Sequence, residues 1–201
     1  MDKPNILMDA LPETVDVNGK AFSIRTDYRI GIMFEMMVFD RSIDDEEKVK
    51  IALELYFAEH PPEDVSGAIN SILWFFSCGN VENCSQDFQS ERASKPRSRD
   101  RAYDYDIDAE RIYAAFMEQY DIDLSSVSMH WWKFQALFRA LHDCEFSEVA
   151  GYRTIDLSSI HDKKERTRLA RLKAKYALPS LLSDDERIAL AGNAFSGGSG
   201  W

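Results

Sequence analysis

Nowhere does the chain hold an apolar run of the roughly 18 residues that a membrane-spanning helix requires. Its first residues, MDKPNILMDALPE, lack the basic start and unbroken apolar stretch of a secretory signal, so the expected compartment is the cytoplasm, without membrane attachment. Cysteine is scarce. Cys78, Cys84 and Cys144 are an odd number without CxxC spacing, which suits free thiols in a reducing environment better than a disulfide framework. Also missing are a Walker A loop, a Rossmann glycine fingerprint, HExxH and GxSxG. The four histidines, His60, His130, His142 and His161, are scattered, and His142 and Cys144 stand two residues apart, so on a helix they diverge. No catalytic residue, cofactor site or metal site is expected, and the chain reads as a binding protein and not as an enzyme.

Basic charge is in short supply too. With 24 Lys and Arg against 35 Asp and Glu, the net charge of −11 disfavours nucleic acid as the default partner, because phosphate affinity needs clustered cations. The distribution is uneven. Residues 1–78 carry 7 basic against 15 acidic groups and residues 102–160 carry 4 against 11, whereas residues 161–201 carry 8 against 5.

What is present is helical periodicity. In MHWWKFQALFRAL, from Met129 to Leu141, Trp131, Phe134, Leu137, Phe138 and Leu141 form one apolar stripe. Met129, Trp132, Ala136 and Ala140 form a second, leaving Gln135, Arg139 and His142 as a narrow polar strip. A helix apolar nearly all round packs against others from two directions, so this one is expected at the centre of the fold. The fold class is mainly α, with one short N-terminal β-hairpin. That hairpin is read from the alternation in Thr14 to Val17 and Lys20 to Ile24 around Asn18-Gly19, the dipeptide of the type I′ turn.

Further helices are expected from an opening at Thr26-Asp27 through Asp40, from an N-cap at Ser42 to about Ala58, and from about Glu63 to Cys78. Residues 81–101 lose apolar periodicity and read as a flexible linker between an N-terminal unit, 1–80, and a C-terminal helical unit, 102–182. Beyond the linker a helix follows a cap at Asp106 or Asp108, and the central helix starts from Ser126 or Ser128. A short helix from Cys144 to Tyr152 is joined by Arg153 to Ser159 to a basic helix from Asp162 to Tyr176, and 183–201 reads as a mobile tail. The carboxylates Asp104, Asp106, Asp108 and Glu110 alternate like calcium ligands, but Ala109 and Ala115 stand where such a loop needs Gly and Glu.

Two kinds of surface qualify for a partner. Met33, Met36 and Met37 cluster on one helix; core filling is the first reading of them, as it is of Trp132, and a surface that adapts to apolar partners is the alternative. Arg139, Arg166, Arg171 and Lys173 are the candidate cationic contacts, the last three on the basic helix.

The segments YDYDIDAERIYAAF, YDIDL, MHWWKFQALF, YRTIDL and LKAKYALP resemble, in order and spacing, a family of bacteriophage and prophage proteins from tailed phages of Gram-positive bacteria. HWWKF is the most specific of these motifs, and Asp121 replaces the Gly usual after Tyr120. The resemblance implies a product of the tail morphogenesis region, encoded near the major tail protein and the tape measure protein. Its implied role is a tail assembly chaperone that holds the tape measure protein, or another tail protein, before the tube polymerises. A minor structural tail component and a small nucleic-acid-binding regulator using the basic helix are the alternatives. The resemblance supplies no catalytic residues, and self-association into a homo-oligomer stays open.

Overall fold

The structure, a computed structural model, describes residues 3–58, 60–80 and 101–179. The stretch expected as a linker, except Arg101, and the expected tail lie outside the described residues. Strands β1 (Thr14–Val17) and β2 (Lys20–Ser23) form the antiparallel hairpin, pairing Thr14 with Ser23 and Val17 with Lys20. Asn18 and Gly19 take positive φ of 55° and 78°, which is the conformation the Asn-Gly turn favours.

Three helices follow: α1 (Tyr28–Phe39), α2 (Asp45–Phe57) and α3 (Val65–Phe76). A two-stranded hairpin cannot cover its own apolar face, and here Val15 and Val17 are buried as β1 packs on α3. Ser71 Oγ fastens the contact by donating to the Asp16 carbonyl at 2.7 Å. At α2 the cap is Asp44, whose carboxylate accepts from Glu47 N at 2.8 Å, and not Ser42. Ser42 instead gives its N–H and hydroxyl to Asp40, so the Asx turn at Asp40 takes it out of the helix.

Four more helices complete the described chain: α4 (Ala109–Tyr120), α5 (Trp131–Ala140), α6 (Glu145–Thr154) and α7 (Lys163–Tyr176), with a 3₁₀ turn at Leu157–Ser159. The fold is mainly α with one N-terminal hairpin, as the periodicities imply. His130, not Ser126 or Ser128, caps α5: its Nδ1 accepts from Trp132 N at 3.1 Å. Ser128 Oγ is directed to the Asp27 carboxylate, which caps α1, at 2.7 Å. The starts of α1 and α5 are further tied by Tyr28 N to Met129 O at 2.8 Å and Trp131 N to Thr26 O at 2.7 Å.

Helix α5 does lie at the centre. Phe134 is fully buried and stacks on Tyr28 of α1 at 4.8 Å and on Phe116 of α4 at 5.2 Å between ring centroids. Trp131 stacks on Phe76 of α3 at 5.2 Å and fills the space over Gly31, where a β-carbon would fall inside the indole. Residues on both sides of the 81–100 stretch share this one hydrophobic core, from Val15 and Phe34 to Phe138 and Phe146. Gln135 is a correction to the polar strip. It is buried, because it falls between Trp131 and Phe138 on the inward stripe, and its Nε2 donates to the Tyr105 hydroxyl at 3.1 Å.

Candidate partner-binding surface

Helix α1 turns Tyr28, Gly31, Phe34 and Met37 inward. On the opposite side Met33 and Met36, three residues apart and so adjacent on the helix, are 44% and 42% exposed. They form a short apolar ridge between Arg29 and Asp40. Of the methionine cluster, Met37 is not available to a partner, because it lies on the inward side of α1 with Phe34 and joins the core.

Trp132 is likewise withdrawn. It is buried against Trp74, with ring centroids 5.5 Å apart, and its Nε1–H donates to Phe75 O at 2.8 Å. The adjacent Trp131 Nε1–H donates to Phe76 O at 2.8 Å, so the two indoles satisfy carbonyls in the last turn of α3. An exposed aromatic docking face is therefore not built from HWWKF.

Arg139 is exposed at the end of α5 and near enough to Glu35 of α1 to favour its ionised form. Burial nevertheless pushes the Glu35 carboxyl up to about 7, against the opposing effects of a hydrogen bond from Tyr103 and the Arg101 charge. Tyr103 and Tyr105 stand next to one another with ring centroids 5.1 Å apart, and Gln135 donates to the Tyr105 hydroxyl, so polar groups of α5 and of the segment before α4 gather near Glu35 of α1. Arg101 stacks over Phe39 at 4.0 Å and pairs with Asp104 at 3.3 Å.

Arg166 and Arg171 are exposed on α7, but Lys173 is half-buried and donates to Ile155 O at 2.8 Å. Asp162 caps α7 through Glu165 N, and Leu169 anchors the helix inward. An open groove of about 570 Å³ runs along Lys163, Lys164, Thr167, Arg168, Arg171 and Leu172. The candidate residues therefore do not converge: the methionine ridge, Arg139 and the basic face belong to three different helices.

Two buried groups escaped the sequence reading. Arg153 is not in a connector but in the last turn of α6, and it forms a bidentate pair with Asp108, which is fully buried. Asp108 occupies the N-cap position of α4 without capping it, since Arg153, Arg111 and the Asp104 N–H take its oxygens. Nor is it free for the calcium loop its spacing suggests; among the described residues no group of His, Cys, Asp and Glu could hold a metal ion. A signal was present: Arg153 continues the inward stripe of Phe146 and Val149, so a cation at that register requires a buried anion. Cys78 and Cys144 are buried free thiols, and burial pushes the former up to about 11, well away from reactive thiolate.

The family described as Bacteriophage Gp15 protein matches residues 7–178. The chain belongs to this bacteriophage protein family. Nothing matches it among curated proteins or solved structures. The Gp15 match takes in every described helix, including the α5 helix that carries HWWKF and the whole basic face of α7. No helix of the described residues is long and apolar enough to cross a membrane.

Proposed function

We propose that this Gp15-family protein is a tail assembly chaperone, acting in the host cytoplasm by binding and not by catalysis, without a cofactor. Its client is the tape measure protein, held until tube subunits polymerise around it. The observation that carries the reading is the ridge of Met33 and Met36: two flexible, polarisable side chains left exposed on a helix that buries Tyr28, Phe34 and Met37 and half-buries Ile30, Ile32, Val38 and Phe39. Such side chains adapt to differing apolar surfaces, which suits capture of a long helical protein at many similar sites. The resemblance in HWWKF and its companion motifs supplies the tail setting.

The test is co-expression with the tape measure neighbour, measuring how much of that protein stays soluble, followed by mass spectrometry of purified virions. The expected result is a gain in solubility, absence from mature particles, and loss of the gain in Met33→Glu/Met36→Glu. Binding driven by apolar burial gives a negative heat-capacity change and only moderate salt sensitivity. No gain in solubility, or stoichiometric retention in virions, overturns the chaperone reading, and retention identifies a structural tail component instead.

A further inference from the structure

Two faces of unlike charge lie on helices that both pack on a third. Helix α4 buries Ile112, Ala115 and Phe116. Its outward side exposes Tyr113 and Met117, with Ile107 just before the helix, at 39%, 37% and 45%. Asp106, Glu110, Glu118 and Asp121 border this strip, and none has an ion-pair partner among the described residues. Helix α7 is the reverse. It carries seven Lys and Arg against one Glu in a chain of net charge −11. Arg168 pairs with Glu165, whereas Lys163, Lys164, Arg166 and Arg171 have no carboxylate partner among the described residues; Leu172 gives the groove along Lys163, Lys164 and Arg171 an apolar element.

Helix α6 packs on both α4 and α7, and among the described residues no ion pair joins the α4 face to the α7 face within one chain. We propose that the acidic, apolar face of α4 docks on the basic face of α7 of a second copy of this chain. Complementarity in sign fixes the mode. Pairing α4 with α4 would set carboxylates against carboxylates, and pairing α7 with α7 would set cations against cations. The contact is therefore head-to-tail, and it either closes into a ring or runs on as an open chain. Tyr113, Met117 and Leu172 supply the apolar centre, while the charges align the copies and exclude the symmetric alternatives.

The purified full chain tests this by sedimentation velocity across a concentration series reaching about 1 mM, the range in which even weak association registers. Association is expected at about 50 mM salt and is expected to weaken at least about tenfold at about 500 mM, where the Debye length falls below the spacing of the rim charges. Glu110→Lys/Glu118→Lys and Lys164→Glu/Arg171→Glu should each shift the protein to monomer while retaining the wild-type circular dichroism spectrum. In the mixture α4 of the second variant meets α7 of the first with wild-type polarity, and α4 of the first meets α7 of the second with inverted polarity, so association should return in the mixture and in neither variant alone. Monomer under all conditions, association indifferent to salt, loss in only one variant, or failure of the mixture to recover would each overturn the proposal. The measurement uses no tail protein, so its outcome is independent of the chaperone reading.

Discussion

Replacing Arg153 by Met keeps most of the aliphatic stem but withdraws the guanidinium from four bonds. These are two to Asp108, one to Tyr176 O at 2.6 Å and one to Ala102 O at 3.1 Å. The single guanidinium thus holds the segment before α4, the start of α4 and the end of α7 to helix α6. Breaking one side of a buried ion pair costs about 3–5 kcal/mol, because the remaining charge stays out of water. Asp108 would keep Arg111 at 3.3 Å and the Asp104 N–H at 3.0 Å, which places the expected loss near the lower end, about 3 kcal/mol. For a chain of this size that lowers Tm by about 6–12 °C. The assay is urea denaturation followed by circular dichroism on wild type, Arg153→Met, Asp108→Asn and the double variant. The double variant should cost less than the sum by about 1–3 kcal/mol, since neither remaining group then faces an unpaired charge. A loss below about 1 kcal/mol for Arg153→Met, or simple additivity, would refute the argument that this pair organises the second half of the chain.

Three further outcomes are expected. Trp131→Ala and Phe138→Ala should each cost about 3–5 kcal/mol and Lys133→Ala almost nothing, while Gln135→Ala should cost about 1–3 kcal/mol by removing the donor to the buried Tyr105 hydroxyl; equal small losses in chemical denaturation at all four would show that α5 is not central. Gly31→Ala, which on helix propensity alone would stabilise by up to about 1 kcal/mol, should instead destabilise because the added methyl meets the Trp131 indole, and a raised Tm would disprove that contact. The Glu35 carboxyl is raised from 4.5 to about 7, so the folded state binds the extra proton between those values. Its contribution is full below about 4.5 and is lost as pH rises through about 7. Urea midpoints should therefore fall from pH 5 to pH 8 more steeply in wild type than in Glu35→Gln, and parallel profiles would count against a buried Glu35.

The hairpin and the helices were legible because their signals are local: Asn18-Gly19 demands positive φ, and apolar spacing tracks the helical period. The caps were less so. Between Asp40 and Glu47, or between Ser125 and His130, several side chains can accept an N–H, and tertiary bonds decide which one does. Gln135 and Arg153 show the same limit from within the core. Each sits on an inward stripe, but its partner, Tyr105 or Asp108, lies 30 or 45 residues away, and no local pattern names it. The candidate surface was half legible for a related reason: Met33, Met36 and Met37 look alike in sequence, and only the packing of α1 into the core separates the buried one from the exposed pair.

The bonds from the paired indoles to the end of α3 also set an order of events on the ribosome. Phe75 O and Phe76 O wait for donors that lie 57 and 55 residues further along. At about 5–20 residues per second that interval lasts roughly 3–11 s, during which the aromatic end of α3 has emerged without the helix that covers it. A nascent chain halted near residue 80 is thus a sticky fragment, a natural client for the host's own folding machinery, and the protein becomes self-sufficient only after HWWKF has left the exit tunnel.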